Sequence, residues 1–365
     1  MKIATVIGAR PQFIKAAMVS RAIEKESRLK EYIIHTGQHY DQNMNDVFFQ
    51  TLNLKKPDWQ LHCGGRTNPS KMLAEMMTGI EEALVSFRPD HVLVYGDTLS
   101  TLAGSLAASQ LHIPVCHVEA GLRSYNKQMP EEINRLLTDH LSSMLFCPTR
   151  QAVINLSNEG ITENVFYSGD VMYDAVLTFG LMAEEQSNIL STLGLQTKKF
   201  RLCTVHRAEN TDDSERLQQI IFALIEIATP ECPVIFPVHP RTRIAINRYH
   251  LHKAMMSNDY LRLIEPVSYM DMVMLEKNAI TILTDSGGIQ KEAYFYRTPC
   301  VTLRNETEWT ETVDAGWNQI AGYQTQNILT CVGKTPAKSD IDEYGDGHAA
   351  DNIVSAMIKR EGAKS

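Results

Sequence analysis

The sequence predicts an α/β protein made of two Rossmann-like domains, each a parallel sheet with crossover helices, facing each other across a cleft. Three observations carry that reading. Short apolar or β-branched runs alternate with helical patterns along the whole chain, which is how a parallel sheet is written. The alternation comes as two comparable series that meet near Gly169. The length of 365 residues suits two domains at roughly 100–200 residues each.

The first series opens with KIATVIG, read as a buried strand. The loop GARPQ follows, then a helix over 13–26 with Phe13, Ile14, Ala17, Met18 and Ala22 near one face. Strands are expected at 32–36, 91–95, 115–119, 145–148 and 164–167, and helices at 70–86, 101–110 and 130–142. After the segment 181–199 the second series places strands at 201–205, 234–238, 261–264, 280–284 and 300–303, with helices at 214–228, 269–278 and 288–296. The expected domains are therefore 1–168, carrying the candidate acids, and 169–348. A terminal segment, 349–365, forms a helix free to pack on either domain, including back on the first. No short-period repeat is present, which excludes a solenoid.

Lys plus Arg total 35 against 43 Asp plus Glu, a formal net charge of −8. Nucleic acid and acidic membrane surfaces are poor partners for such a chain, although a small anion needs only a local basic pocket. The seven cysteines (Cys63, Cys116, Cys147, Cys203, Cys232, Cys300, Cys331) are odd in number and form no C-x-x-C pair, so free thiols in a reducing cytoplasm are expected. The start, MKIATVIGARPQF, breaks at Gly8 and Arg10 and is poorly shaped for a signal peptide, and no stretch reaches membrane length. A cytoplasmic protein is expected.

In open α/β sheets ligands bind at the carboxyl ends of strands, so Arg10, Gln38, Asp97, Glu119, His206, His239, Ser286 and Arg304 are the polar residues to weigh. Several chemistries drop out. No G-x-G-x-x-G follows the first strand, and Gly333-Lys334-Thr335 lacks the earlier glycine of a P-loop because position 328 is Ile. Nicotinamide and ATP readings lose their main support. Ser286 lacks the leading glycine of a nucleophile elbow. His35 and His39 sit at a strand end and not on one helix face, so no metal is expected either.

TDSGGIQKEA places Ser286, Gly287 and Gly288 at the start of a helix, where free amides and the helix dipole favour a phosphate. Glu292, further along, has the acceptors for a ribose diol. The same glycines would also serve tight helix–sheet packing. Arg10 and Lys15 in GARPQFIK supply two cations for a diphosphate. Asp97, Glu119 and Glu131 come from consecutive units, as proton transfer at carbon requires. Structural roles are also open to two of them: Asp97 as a helix cap and Glu131 as an i,i+4 partner of Arg135. His206 with Arg207 after one strand, and His239 after the next, would face a departing phosphate. His250, His252 and His348 are left unassigned.

The motifs GARPQFIK, HTGQHYD, YGDTLSTLAGSLAA, HVEAGLRS, MPEEINR, TVHRAEN and LTDSGGIQKEA, in this order, resemble the non-hydrolysing UDP-N-acetylglucosamine 2-epimerase family, from Lys2 to about Gly322. The resemblance implies a glycosyltransferase-B-like pair of domains and a homodimer. It also implies cofactor-free inversion at C2 of a UDP-2-acetamido sugar, by elimination of UDP and its re-addition, for bacterial surface polysaccharide. By motif, the catalytic acids would be Asp97, Glu119 and Glu131, with acid and base unassigned among them. His206 would be the leaving-group histidine. Arg10, Lys15, Ser286 and Glu292 would hold UDP. Two departures stand out: Trp309 takes the place of an arginine in the usual T-x-E-R-P-E run, with Arg304 close by, and GARPQF replaces the commoner G-T-R-P-E. Both are similar to the branch acting on UDP-2,3-diacetamido-2,3-dideoxyglucuronate. Gln38-His39-Tyr40-Asp41 also departs from the Q-H-x-Q run of members with an activator site. A UDP-sugar glycosyltransferase on the same fold is the rival from another enzyme class.

Overall fold

The computed structural model describes residues 1–38, 49, 51–65, 68–334 and 337–362; the Arg10 side chain lies outside that description. Two compact units form, Met1–Ala175 with Asp342–Ser365, and Val176–Ile341. The division falls inside the helix Val171–Gln186 and not at 168/169.

The first unit holds β1 (Lys2–Ile7), β2 (Lys30–His35), β3 (Trp59–Gln60), β4 (His91–Tyr95), β5 (Val115–Val118), β6 (Met144–Cys147) and β7 (Val165–Tyr167), in the order β3-β2-β1-β4-β5-β6-β7. The second holds β8 (Arg201–Thr204), β9 (Val234–Pro237), β10 (Leu261–Ile264), β11 (Thr281–Thr284), β12 (Cys300–Thr302) and β13 (Asn318–Ile320), in the order β10-β9-β8-β11-β12-β13. Every neighbouring pair is parallel. Helices cover the sheets on both faces, so the central strands read as unbroken apolar runs; all five residues of β4 are buried. Core layers pack Val6, Val94 and Ala103 in the first unit, and Cys203, Ile221 and Leu283 in the second.

Two strands lie beyond the sequence reading. β3 and β13 are edge strands of two and three residues, too short to show a period. The first helix, Arg10–Glu24, starts earlier than expected because Pro11 lies in its first turn, where the missing N–H has no partner to lose.

In each sheet the strand order reverses once, between β1 and β4 and between β8 and β11. Those switch points open a crevice at the carboxyl ends of the strands. The residues that emerge beside them are Asp97 in the first unit, and His206 and Asp285 in the second.

The terminal helix Ala349–Gly362 belongs to the first unit. The Asp174 carboxylate caps its start by accepting from the N–H groups of Ala349 (3.1 Å) and Ala350 (2.8 Å). Near its end, Arg360 donates to the Ser143 carbonyl. Burial raises Asp174 to about 6, with the two N–H bonds opposing. A raised folded pKa favours the protonated form. That stabilisation is complete below the unfolded value and is lost as pH rises through about 6. Asp174→Asn keeps an acceptor without the charge. Its stability relative to wild type is expected to climb between pH 4 and 6 by at most about 3 kcal/mol, at 1.36 kcal/mol per unit, as read by urea unfolding. A flat difference across that range contradicts it.

All seven cysteines are free. No helix among the described residues is long and apolar enough to cross a membrane.

Candidate active site

At the end of β4 the chain turns through Gly96, at φ +63°, into Asp97. At the end of β5, Glu119 takes φ +75°, a left-handed conformation that side chains seldom adopt and that concentrates at functional sites. A Cβ at Gly96 would lie 3.0 Å from Glu119 Oε2 and 3.5 Å from Lys15 Nζ. Glycine is what lets the carboxylate and the ammonium approach the turn. Lys15, buried on the first helix, forms an ion pair with Glu119.

Asp97 Oδ2 accepts from Arg135 Nε (3.1 Å) and Nη2 (2.7 Å), and the Asp97 carbonyl accepts from Asn134 Nδ2 at 2.8 Å. Burial is the largest influence on Asp97 and holds its carboxyl above the ordinary range; Arg135 and Lys15 oppose it, and Glu119 adds to it. Two carboxylates and two cations therefore share one strand-end cluster in which a neighbouring charge and burial act on the proton of Asp97. The capping role weighed for Asp97 belongs to Thr98, whose Oγ1 accepts from Thr101 N at 3.4 Å.

The helix Pro130–Leu141 closes this cluster. The i,i+4 pairing of Glu131 with Arg135 is replaced by an i,i+3 pairing of Glu132 with Arg135, Oε2 to Nη1 at 2.6 Å. Glu132 also accepts from Ser124 N (2.9 Å), Ser124 Oγ (3.0 Å) and Tyr125 N (2.9 Å). Burial alone would raise its carboxyl; these donors outweigh it and bring it below the usual range. Glu132 thus ties the 121–129 loop to Arg135. Glu131 is half-buried and stands outside that ion-pair network.

In the second unit Asp285, fully buried, accepts from the N–H groups of His206 (3.0 Å) and Arg207 (3.0 Å) and from Asn210 Nδ2 (3.1 Å). It shapes the turn after β8. His206 Nδ1 lies 3.6 Å from Asp285 Oδ1, and the His206 and His239 ring centroids are 5.5 Å apart. Burial lowers His206, joined by Arg207 and Arg241 and opposed by Asp285. His239 caps the helix Pro240–Arg248, its Nδ1 accepting from Arg241 N at 3.1 Å, so a neutral ring carries its proton on Nε2.

Ser286 caps the helix Gly287–Phe295, Oγ accepting from Ile289 N at 3.5 Å. The two glycines that follow serve different ends. A Cβ at Gly287 would collide with the Glu308 carboxylate, and Trp309 Nε1 donates to the Gly287 carbonyl at 2.9 Å. At Gly288 the nearest atom to such a Cβ is Ser286 Oγ, 3.8 Å away. A side chain at the first glycine would therefore push the Glu308 carboxylate aside, while the second glycine leaves room beside the free amides of the first turn. Gly287→Ala is expected to cost about 1 kcal/mol of stability by displacing the Glu308 carboxylate from Arg304, and Gly288→Ala to leave the melting temperature at or above wild type. Thermal unfolding of both variants checks the pair, and equal melting temperatures contradict it.

Glu292 is buried in the same helix. Burial raises it to about 7, with Lys291 and a hydrogen bond to Tyr269 opposing. Arg304, beside the departed arginine position, is occupied: Nε donates to Glu209 Oε1 (3.1 Å) and Nη1 to Glu308 Oε2 (3.0 Å). Trp309 is buried, with Lys291 Nζ 4.1 Å from its ring centroid.

The structure gathers Lys15, Asp97 and Glu119 in one unit, and His206, Arg207, His239 and the Ser286–Gly288 turn in the other. Arg10 starts its helix, with its side chain outside the described residues, as is His39. His35 is a core residue stacked on Phe13 at 5.2 Å, and burial lowers it to about 4, with His62 adding. Among the described residues no group of three or more His, Cys, Asp or Glu could hold a metal ion.

Sequence reasoning missed Gln12, Asn134, Arg135 as the partner of Asp97, and Asp285. Gln12 spans the first switch point: Oε1 accepts from Gly8 N (2.8 Å) and Ala9 N (3.1 Å), while Nε2 donates to Tyr95 O and Thr101 Oγ1, both at 2.9 Å. Its signal was present as the departure from G-T-R-P-E. The signal for Asp285 was an acid standing directly before Ser-Gly-Gly at a buried strand end.

The family model described as UDP-N-acetylglucosamine 2-epimerase matches residues 21–358. A UDP-N-acetylglucosamine 2-epimerase homolog of Methanococcus maripaludis is 51% identical over 98% of this chain and 99% of its own. The UDP-2,3-diacetamido-2,3-dideoxy-D-glucuronate 2-epimerase of Pseudomonas aeruginosa is 48% identical over 98% and 100%. Among solved structures, Methanocaldococcus jannaschii UDP-GlcNAc 2-epimerase in complex with UDP-GlcNAc and UDP matches at a TM-score of 0.89 and 42% identity, covering 98% of this chain and 100% of that one. On this match across almost the whole length, the chain belongs to the UDP-N-acetylglucosamine 2-epimerase family.

Proposed function

We propose that the chain is a non-hydrolysing, cofactor-free 2-epimerase that converts UDP-N-acetylglucosamine to UDP-N-acetylmannosamine. The observation that carries this reading is the pair of carboxylates, Asp97 and Glu119, laid against one glycine turn beside the β1/β4 switch point with Lys15 and Arg135 between and behind them. One carboxylate takes the C2 proton as the C1–O bond breaks and UDP departs with the electron pair, leaving a 2-acetamidoglycal with a C1=C2 double bond. UDP then re-adds at C1 and a proton arrives at C2 on the opposite face. That second delivery needs another acid, the part given to Glu131 alongside Asp97 and Glu119. His206, held by Asp285, meets the leaving diphosphate together with Arg207, His239 and the Ser286–Gly288 amides; Arg10 adds charge, and Glu292 takes the ribose. A diphosphate beside His206 supplies the negative charge that favours its imidazolium.

The experiment is incubation with UDP-N-acetylglucosamine in heavy water, followed by proton NMR. Inversion with deuterium at C2 supports the reading. A sugar passed to an acceptor without such exchange overturns it in favour of a transferase, and release of free N-acetylmannosamine in favour of a hydrolysing enzyme. A second reading takes UDP-2,3-diacetamido-2,3-dideoxyglucuronate as substrate. Its support is the 48% identity to the P. aeruginosa enzyme and the packed Trp309 where an arginine is usual. Turnover of that sugar alone in the same assay selects it. We further infer a cytoplasmic homodimer in bacterial surface polysaccharide synthesis; its free cysteines support the compartment, and light scattering tests the dimer.

A further inference from the structure

Beneath the acid cluster runs a buried chain of ionisable side chains that the reaction does not touch. His117, the third residue of β5, is fully buried. Its Nδ1 lies 2.7 Å from Asp139 Oδ1, and its Nε2 lies 2.8 Å from the carbonyl of Gly96. Asp139 Oδ2 accepts from Arg123 Nη1 (2.7 Å) and from Gly121 N (3.1 Å), and Arg123 continues to Glu159 through Nε and Nη2, each at 2.7 Å.

A carbonyl oxygen can only accept a hydrogen bond. A carboxylate that already takes a guanidinium and a backbone N–H is ionised, and it too can only accept. Both ring nitrogens of His117 must therefore donate, and a ring that donates twice is an imidazolium. The charges then alternate from the site outward: His117 positive, Asp139 negative, Arg123 positive, Glu159 negative. Each buried charge has an opposite neighbour, which is the condition for keeping charge out of water. Cys147 also faces this chain, and burial holds its thiol out of play.

The site end of the chain is the Gly96 peptide. Its N–H donates to Val118 O at 2.9 Å and its carbonyl is gripped by His117. The next carbonyl, that of Asp97, is gripped by Asn134. The backbone that aims Asp97, and against which Glu119 and Lys15 rest, is thus fixed at three polar groups.

We propose that His117 is a positioning residue, a ring that donates from both nitrogens and locks the Gly96–Asp97 turn so that the Asp97 and Glu119 carboxylates stand in reacting geometry. The proposal rests on the epimerase reading for its kinetic half and on geometry alone for its protonation half. Losing the grip on Gly96 misplaces the acids without removing them, and misplacement by about 1 Å costs on the order of 100-fold in rate.

Two measurements test it. In wild-type protein labelled with 15N-histidine, the ring spectrum is expected to contain one ring with both nitrogens protonated that vanishes in H117Q. A His117 ring with one bare nitrogen overturns the proposal whether or not H117Q folds. In H117Q, kcat is expected to fall about 10- to 100-fold while KM and UDP binding stay within about threefold; an unchanged kcat, or a loss confined to KM, overturns it. Wild-type protein that shows the doubly protonated ring but inverts no UDP-2-acetamido sugar would count against the epimerase reading and not against the protonation.

Discussion

Glu119→Gln is expected to lower both epimerisation and deuterium entry at C2 by about 1,000-fold, within the 10²–10⁴ range for a positioned acid or base. The substitution is nearly isosteric, so the φ +75° backbone and the approach to Gly96 survive. What is lost is the proton-carrying group, together with the charge that pairs Lys15. Binding of UDP, measured by titration calorimetry, should persist because Glu119 is not among the groups assigned to hold it. Asp97→Asn should behave alike, and the double variant should be little worse than either, as expected of groups acting as a unit. Exchange within tenfold of wild type in Glu119→Gln would remove Glu119 from the chemistry.

The second large effect is expected from Asp285→Ala. One buried carboxylate satisfies the N–H groups of His206 and Arg207 and the amide of Asn210, and His206 Nδ1 faces it. Truncation leaves those donors buried without an acceptor, at about 1–3 kcal/mol for each group left unsatisfied. A stability loss of about 3 kcal/mol or more is expected in urea unfolding, with UDP affinity falling further than stability alone explains because the His206–Arg207 turn is released. Asp285→Asn, which keeps an acceptor oxygen, should recover part of the stability. Wild-type stability in Asp285→Ala would show that the turn holds itself.

The parallel sheets were legible because both faces are covered, which writes a central strand such as His91–Tyr95 as an uninterrupted apolar run. Trp59–Gln60 and Asn318–Ile320 were not, because an edge strand of two or three residues carries no period. The candidate acids were legible for a related reason: a polar residue directly after a buried run must stand at a strand end, where ligands bind.

Their partners were hidden. Asp97 meets Arg135, and His206 meets Asp285, across stretches of chain whose spacing says nothing about contact. The adjacent pair Glu131 and Glu132 shows the limit most clearly. Spacing favoured Glu131 as the partner of Arg135, yet neighbouring positions on a helix point about 100° apart. The packing of Pro130–Leu141 turned Glu132 inward instead. Local order along the chain thus decided which elements form and which residue types end the strands, because hydrophobic burial and turn chemistry act over a few residues. Only the folded arrangement decided which carboxylates are paired, buried or raised in pKa. Charge and hydrogen-bond partners are set by distance in space, which strand order and helix rotation fix after the elements have formed.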